Sequence, residues 1–132
     1  MKCEVHKYII TFIIILNWAC VKAGPVILER GKEQCAHCSM SIVDMRFHAQ
    51  ALTTKGRRFY FDSIECYYDF KRNKHIVIDR SWFSNYVLPS EMIDESQAIV
   101  IRSSKIRSPM GGGLAAFKSK KESEGFLLDQ KK

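Results

Sequence analysis

The sequence has 132 residues, of which 46% are hydrophobic and 27% charged, and its formal net charge is +7. This balance excludes a disordered chain and fits one globular domain once any targeting segment is removed. The 21 Lys and Arg residues are scattered and form no stripe, so we predict no nucleic-acid partner. The excess of positive charge is more consistent with contact to an acidic membrane surface or an acidic partner protein than with binding of nucleic acid.

The first 23 residues have the character of an export signal. Lys2 and Lys7 precede the apolar run 8–16, which is interrupted only by Thr11 and is too short to cross a bilayer. We therefore expect the mature protein to lie outside the cytoplasm, where disulfides can form and copper is normally handled.

Two ends of the signal are possible. Ala19-Cys20 resembles the end of a lipobox, although Asn17 stands where leucine is usual, and would give a signal of residues 1–19 and a lipid-modified Cys20. The alternative is ordinary cleavage after Ala23, which gives a signal of residues 1–23. We favour Cys20, because the apolar run ends early.

The remaining chain divides into a tether and a domain. Residues 24–34 form a short, polar stretch with two glycines and a proline, so 20–34 is predicted as a lipid-anchor tether and 35–132 as the folded domain. The order strand, strand, capped helix is predicted twice in that domain. We therefore expect an α+β fold of two small, similar hairpin-plus-helix (ββαβ-like) units, at about 35–88 and 89–132.

The most informative stretch is residues 35–40, which read Cys-Ala-His-Cys-Ser-Met. A Cys-x-x-Cys loop can bring two thiolates onto one metal ion. Met40 narrows the choice of ion, because thiolate and thioether ligands together select Cu(I) over metals that prefer oxygen. A copper site is the leading hypothesis. A disulfide across the loop, a structural zinc site and Met40 as an ordinary core side chain remain the alternatives.

The cysteine count supports a metal site. Of five cysteines, Cys3 leaves with the signal and Cys20 would be acylated, which leaves Cys35, Cys38 and Cys66. Three thiols cannot all pair, and metal ligation is one reason for an unpaired thiol in an oxidising compartment. The alternative for Cys66 is a buried, inert thiol.

The first unit is predicted as a hairpin and a capped helix. Alternate apolar positions predict a strand over 45–53, Lys55-Gly56 a turn, and 58–61 the return strand. Asp62 is the predicted N-cap, with Glu65 completing a capping box. This places Cys66 in the first helical turn, where the helix dipole is expected to lower the pKa of its thiol.

The second unit contains further strands and a terminal helix. Strands are predicted at 81–86, 98–102 and 114–117, with a helical turn capped by Asp94 and Gln97 before the second of them. Ser119 and Glu122 form a capping box for a helix that ends near Lys131.

A methionine precedes three glycines in the loop of this second unit. Met110 is followed by Gly111, Gly112 and Gly113, whose permissive backbone would let another group approach closely.

With these residues in view, the chain resembles the NosL family, exported accessory proteins of nitrous-oxide reductase maturation. The resemblance covers most of the mature chain and rests on four segments in order: residues 35–40, Phe59–Cys66, Ile93-Asp94, and Pro109–Gly111 followed by Phe117. The first two segments also resemble the metal-binding YHS and TRASH modules.

The resemblance implies a Cu(I)-binding lipoprotein of the cell envelope, periplasmic and anchored in the outer membrane. It would pass copper toward the reductase beside a membrane transporter complex of the same assembly pathway. Family ligation by cysteine and methionine transfers most directly to Cys38, Met40 and Met110. Cys35 and Cys66 are carried over as ligands from the related YHS and TRASH pattern, in which a Cys-x-x-Cys loop precedes a cysteine on a helix. One departure is Ser39, which replaces the glycine usual between cysteine and methionine.

Two other functions compete with a copper carrier. A thiol-disulfide oxidoreductase would also use an exported Cys-x-x-Cys, but its motif normally opens a helix and here a strand pattern follows. A structural zinc site could recruit His37 or His48 as fourth ligand, with His37 favoured because it lies inside the loop. His75 is read as a surface or core residue, and Met45 and Met92 as packing residues. With no catalytic triad, phosphate loop or paired carboxylates in the sequence, we predict a carrier and not an enzyme.

Overall fold

The computed structural model describes residues 24–131 of the chain. The predictions that concern the signal peptide, Cys3 and Cys20 lie outside these residues. Among the described residues, no helix is both long enough and apolar enough to span a bilayer.

Six strands and two helices follow one another in the described range. They are β1 (Ala49–Thr53), β2 (Arg58–Phe61), α1 (Ile64–Asn73), β3 (Ile78–Ser84), β4 (Met92–Asp94), β5 (Ile99–Arg102), β6 (Leu114–Phe117) and α2 (Lys120–Asp129). The strands form a four-stranded antiparallel sheet of order β2-β1-β3-β4 and a two-stranded antiparallel sheet, β5-β6. A hairpin followed by a helix thus occurs twice, as β1-β2-α1 and β5-β6-α2, and the predicted α+β fold is confirmed.

The main core lies where the larger sheet faces α1. Ala49 on β1 pairs with both Phe61 on β2 and Phe83 on β3, and all three are buried. From the helix, the Tyr67 ring packs edge-on against Phe61 and Phe83, with ring centroids 5.6 and 5.3 Å apart. This packing fixes the start of α1 against the end of β2, which is where the cysteines meet.

A second, smaller core packs the β5-β6 hairpin and α2 against the rest of the domain. Phe47 and Phe117 are buried there, with Tyr86 and Phe126 packed against them. The backbone N–H of Tyr86 donates to the carbonyl of Ala116 at 2.9 Å. These contacts hold the β5-β6 hairpin beside the end of β3.

The segment predicted as a tether is attached to the domain from Val26 onwards. Gln50, which is buried on β1, accepts from the Val26 N–H at 2.9 Å and donates to the Val26 carbonyl at 2.7 Å. Further along, Gly31 donates to Ile42 and Ile42 donates to Glu33. An amide side chain that presents both a donor and an acceptor can pair with an extended backbone as a neighbouring strand would.

Some strand limits differ from those predicted. β1 begins at Ala49 and not at residue 45, because the preceding residues form a turn in which Phe47 donates to Asp44. β3 begins at Ile78 and ends at Ser84, so Tyr86 lies beyond it. β4 was not predicted. Its last residue, Asp94, starts the expected turn by accepting from the Gln97 N–H at 2.9 Å.

Candidate metal centre

Residues 35–40 form a closed loop at the edge of the larger sheet. An isolated bridge between Gln34 and Ser41 brings the two ends together, and the Cys35 N–H donates to the Met40 carbonyl at 2.8 Å. The Ala36 N–H donates to the Tyr60 carbonyl of β2, also at 2.8 Å. The loop is thereby held next to the point where β2 leads into α1.

Ser39 adopts a backbone conformation that glycine prefers. Its φ is +65°, and it is the one non-glycine residue of the described chain with a positive φ. A side chain in this region costs roughly 1–2 kcal/mol. The structure therefore gives a physical reason for the glycine that the family pattern has at this position.

Ser63, and not Asp62, caps α1. The backbone of Ser63 is extended, and its Oγ accepts from the Cys66 N–H at 3.2 Å. Glu65 does not complete a capping box, because its Oε1 accepts from Ser108 and Leu114 instead. The predicted position of Cys66 in the first helical turn is confirmed.

Three thiols and one carboxylate converge between the loop and the helix. The sulfurs of Cys35, Cys38 and Cys66 and a carboxylate oxygen of Asp62 all lie within 4.8 Å of one another. None of the three cysteines forms a disulfide. Cys35 and Cys66 are 2% and 1% exposed, whereas Cys38 is half-buried. We call these four residues the thiol cluster.

Asp62 is the member of the thiol cluster that sequence reasoning missed. It is 3% exposed, and neither of its carboxylate oxygens accepts a hydrogen bond from an N–H or O–H donor among residues 24–131. A buried carboxylate normally pairs with a cation or with hydrogen-bond donors. The donor set of the thiol cluster therefore fits a metal cation.

Burial raises the pKa of two of the thiols. Desolvation raises the pKa of the Cys35 thiol. For Cys66, desolvation is again the largest cause, and the neighbouring Asp62 carboxylate raises the pKa further. The prediction that the helix dipole would lower the pKa of Cys66 is therefore wrong, because burial outweighs it. A metal ion that binds these sulfurs must displace their protons.

The two predicted methionine ligands lie at the surface. Met40 is 51% exposed and follows Cys38 within the closed loop. Met110 is 45% exposed and lies on the loop between β5 and β6.

None of the three described histidines belongs to the thiol cluster. His37 is exposed and does not belong to it. His48 is buried before β1, where its Nδ1 lies 2.9 Å from the Met45 carbonyl, and burial lowers its pKa. Met45 and Met92 line a cavity of about 370 Å³ with His48, beneath residues 25–28. His75 is exposed beyond the end of α1.

The fold and the thiol cluster together define a small α+β domain built around a thiol-rich centre. A model of the NosL family matches residues 25–131, and the chain belongs to this family. A similar fold is seen in the crystal structure of the copper chaperone NosL from Shewanella denitrificans. The two share 18% sequence identity and a TM-score of 0.68, over 80% of this chain and 87% of that one. No curated protein sequence matches this chain significantly.

Proposed function

We propose that this protein is an exported Cu(I) carrier that takes part in the maturation of nitrous-oxide reductase or a related copper enzyme. The observation that carries the proposal is the convergence of three thiols from two separate segments, Cys35 and Cys38 from the loop and Cys66 from α1. Membership of the NosL family and the fold shared with a solved copper chaperone support it.

The chemistry of the donors favours a soft ion. Thiolate and thioether sulfurs select Cu(I), so Cys38 and Met40 from the same loop are the ligands we propose first. Met110 is the third ligand that the family pattern supports, and Cys35 and Cys66 are further candidates. His37 is left as a possible additional ligand, since it is exposed beside Cys38.

A carrier must also release its cargo. The exposed Met40 and Met110 and the half-buried Cys38 lie where an incoming protein could reach them. A neutral thioether is easier to displace than a thiolate, so transfer would begin at a methionine. The proposed recipients are the copper-receiving reductase and, at the membrane, a transporter complex of its assembly pathway.

The test is a competition between metals under anaerobic conditions. The reduced protein should bind one equivalent of Cu(I) and hold it against an equal concentration of Zn(II), as measured with a Cu(I) chelator. Cys38→Ala should abolish tight binding. Ser39→Gly is the matched control within the same loop, because glycine suits the positive φ at this position and no ligand is removed.

One observation favours zinc as the second candidate. Asp62 supplies a hard oxygen donor, and three thiolates with a carboxylate make a four-donor set that suits Zn(II) better than Cu(I). Displacement of Cu(I) by Zn(II) in the competition would establish a structural zinc site instead.

A thiol-disulfide oxidoreductase has less support. Catalytic cysteines need a depressed pKa and partial exposure. Here burial raises the pKa of Cys35, and the Cys-x-x-Cys loop runs between two paired strand-like residues, Gln34 and Ser41, and does not open a helix.

A further inference from the structure

The loop that carries Met110 is attached to α1 through the carboxylate of Glu65. Glu65 Oε1 accepts from the Ser108 hydroxyl at 2.5 Å and from the Leu114 N–H at 3.1 Å. Ser108 and Leu114 flank the loop 109–113 on its two sides. Glu65 thus holds both ends of the loop, and it directly precedes Cys66 of the thiol cluster.

The backbone of the loop lies directly on the Glu65 side chain. A Cβ placed on Gly112 would lie 2.5 Å from Cγ and 2.6 Å from Oε1 of Glu65. No side chain larger than hydrogen fits there without displacing Glu65. The glycines after Met110 were predicted to permit a close approach, and at Gly112 the approaching group is Glu65.

The rest of the loop is closed on itself. The Ser108 hydroxyl accepts from the Gly113 N–H at 2.9 Å, and the Gly111 N–H donates to the Ser108 carbonyl at 2.9 Å. Met110 therefore lies at the tip of a tight turn whose base is fixed by Glu65. The loop cannot shift relative to Cys66 unless the Glu65 contacts break.

Glu65 retains an oxygen that the local structure does not use. Its Oε2 is buried and has no hydrogen-bond partner among the described residues. Burying such an oxygen is unfavourable. The side chain nevertheless keeps the orientation in which Oε1 holds the two ends of the loop.

We propose that Glu65 is a positioning residue that holds the Met110 loop in place relative to Cys66, so that the Met110 thioether can reach an ion bound in the thiol cluster. The inference rests on the proposed copper function and adds to it a residue that does not itself bind the ion. Residues that orient metal ligands typically alter metal affinity by roughly 10- to 100-fold when they are removed.

The test compares Cu(I) affinity with the signal of Met110 itself. In protein labelled with ¹³C at the methionine methyl groups, the Met110 resonance, assigned with Met110→Ala, should shift when Cu(I) is added. In Glu65→Ala that shift should be lost, and Cu(I) affinity should fall about tenfold, to the level of Met110→Ala. The double variant should bind no more weakly than either single variant, because both remove the same contact.

Two matched variants distinguish a loss of loop positioning from a loss of folding. Glu65→Gln keeps an oxygen acceptor for Ser108 and Leu114 and should restore both the shift and the affinity. Ser108→Ala removes the same contact from the loop side and leaves α1 intact. It should therefore cause smaller losses of the Met110 shift and of Cu(I) affinity than Glu65→Ala. It also serves as the test if Glu65→Ala does not fold.

The possible failures are distinct. If wild-type protein binds no Cu(I), the copper function itself is wrong. If wild type binds Cu(I) but the Met110 resonance does not move, or if Glu65→Ala and Ser108→Ala both retain the shift and the wild-type affinity, the positioning role is overturned while the copper function stands.

Discussion

At the scale of single residues, Asp62 distinguishes the thiol cluster from an ordinary buried core. Its carboxylate lies among three sulfurs, and neither of its oxygens accepts a hydrogen bond from an N–H or O–H donor in the described part of the chain. Without a bound cation, this arrangement is unfavourable. The metal-free protein is therefore less stable than it would be with a neutral side chain at this position.

We expect Asp62→Asn to raise the free energy of unfolding of the metal-free protein by about 1–3 kcal/mol, because a neutral amide is less costly to bury than a carboxylate. Urea unfolding of metal-free protein measures this. The same variant should weaken Zn(II) binding more than Cu(I) binding, since a carboxylate is a poor ligand for Cu(I). Asp79→Asn, at an exposed position on β3, is the control and should change neither. A lower stability of Asp62→Asn would show that Asp62 has a structural partner.

The sequence was sufficient to predict the cysteines of the site and not sufficient to predict Asp62. Cys35 and Cys38 follow from their spacing, and Cys66 from the number of thiols left over. Asp62 and Ser63 are both good capping residues at the start of one helix, and a helix needs only one. Burial, which raises the pKa of Cys66, depends on contacts with distant parts of the chain and is not encoded by local spacing.

At the scale of secondary-structure elements, the two helices begin in the same way. Ser63 Oγ accepts from the Cys66 N–H, and Ser119 Oγ accepts from the Glu122 N–H, each at 3.2 Å. The first cap orients the residue that supplies a thiol. The second cap lies away from the thiol cluster, so the pair provides an internal comparison.

We expect Ser63→Ala and Ser119→Ala each to lower the free energy of unfolding by about 1 kcal/mol, the usual value of an N-cap. Only Ser63→Ala should also weaken Cu(I) binding, because it frees the amide of Cys66. Urea unfolding and chelator competition on both variants provide the measurement. Equal losses of affinity would indicate a general effect of stability, and unchanged affinity in both would show that the cap does not position Cys66.

The elements with strong local signals were predicted well. β2 and β6 have the predicted limits, and the Ser119 cap is confirmed. The misplaced limits occur where tertiary contacts decide the conformation. The start of β1 follows a turn, and the short strand β4 exists because it pairs with Trp82, Phe83 and Ser84 of β3. The alternation of apolar and polar residues along one segment does not indicate which other strand that segment pairs with.

At the scale of the whole molecule, the N-terminal segment belongs to the folded domain from Val26 onwards. Its hydrogen bonds to Gln50 and Ile42 leave only a short stretch between Cys20 and the domain. The lipid anchor and the export signal remain predictions from the sequence.

We expect Cys20 to carry the lipid in the mature protein. Wild-type protein should then partition with membranes, whereas Cys20→Ala should be released or left unprocessed. Mass spectrometry of the mature N-terminus provides the measurement. An unmodified terminus at Gly24 would show that Ala23 ends an ordinary signal peptide and that Cys20 has no role in the mature protein.

The attachment of Val26 to Gln50 would also limit where an anchored protein can search for its partners. Four residues separate Cys20 from Pro25, and this stretch can span roughly 17 Å when fully extended. With so short a connection to the lipid, the thiol cluster would stay within a thin layer beside the bilayer. Encounters with a membrane transporter would then become a two-dimensional search at high local concentration, and a soluble copper enzyme would have to come to the membrane to collect its ion.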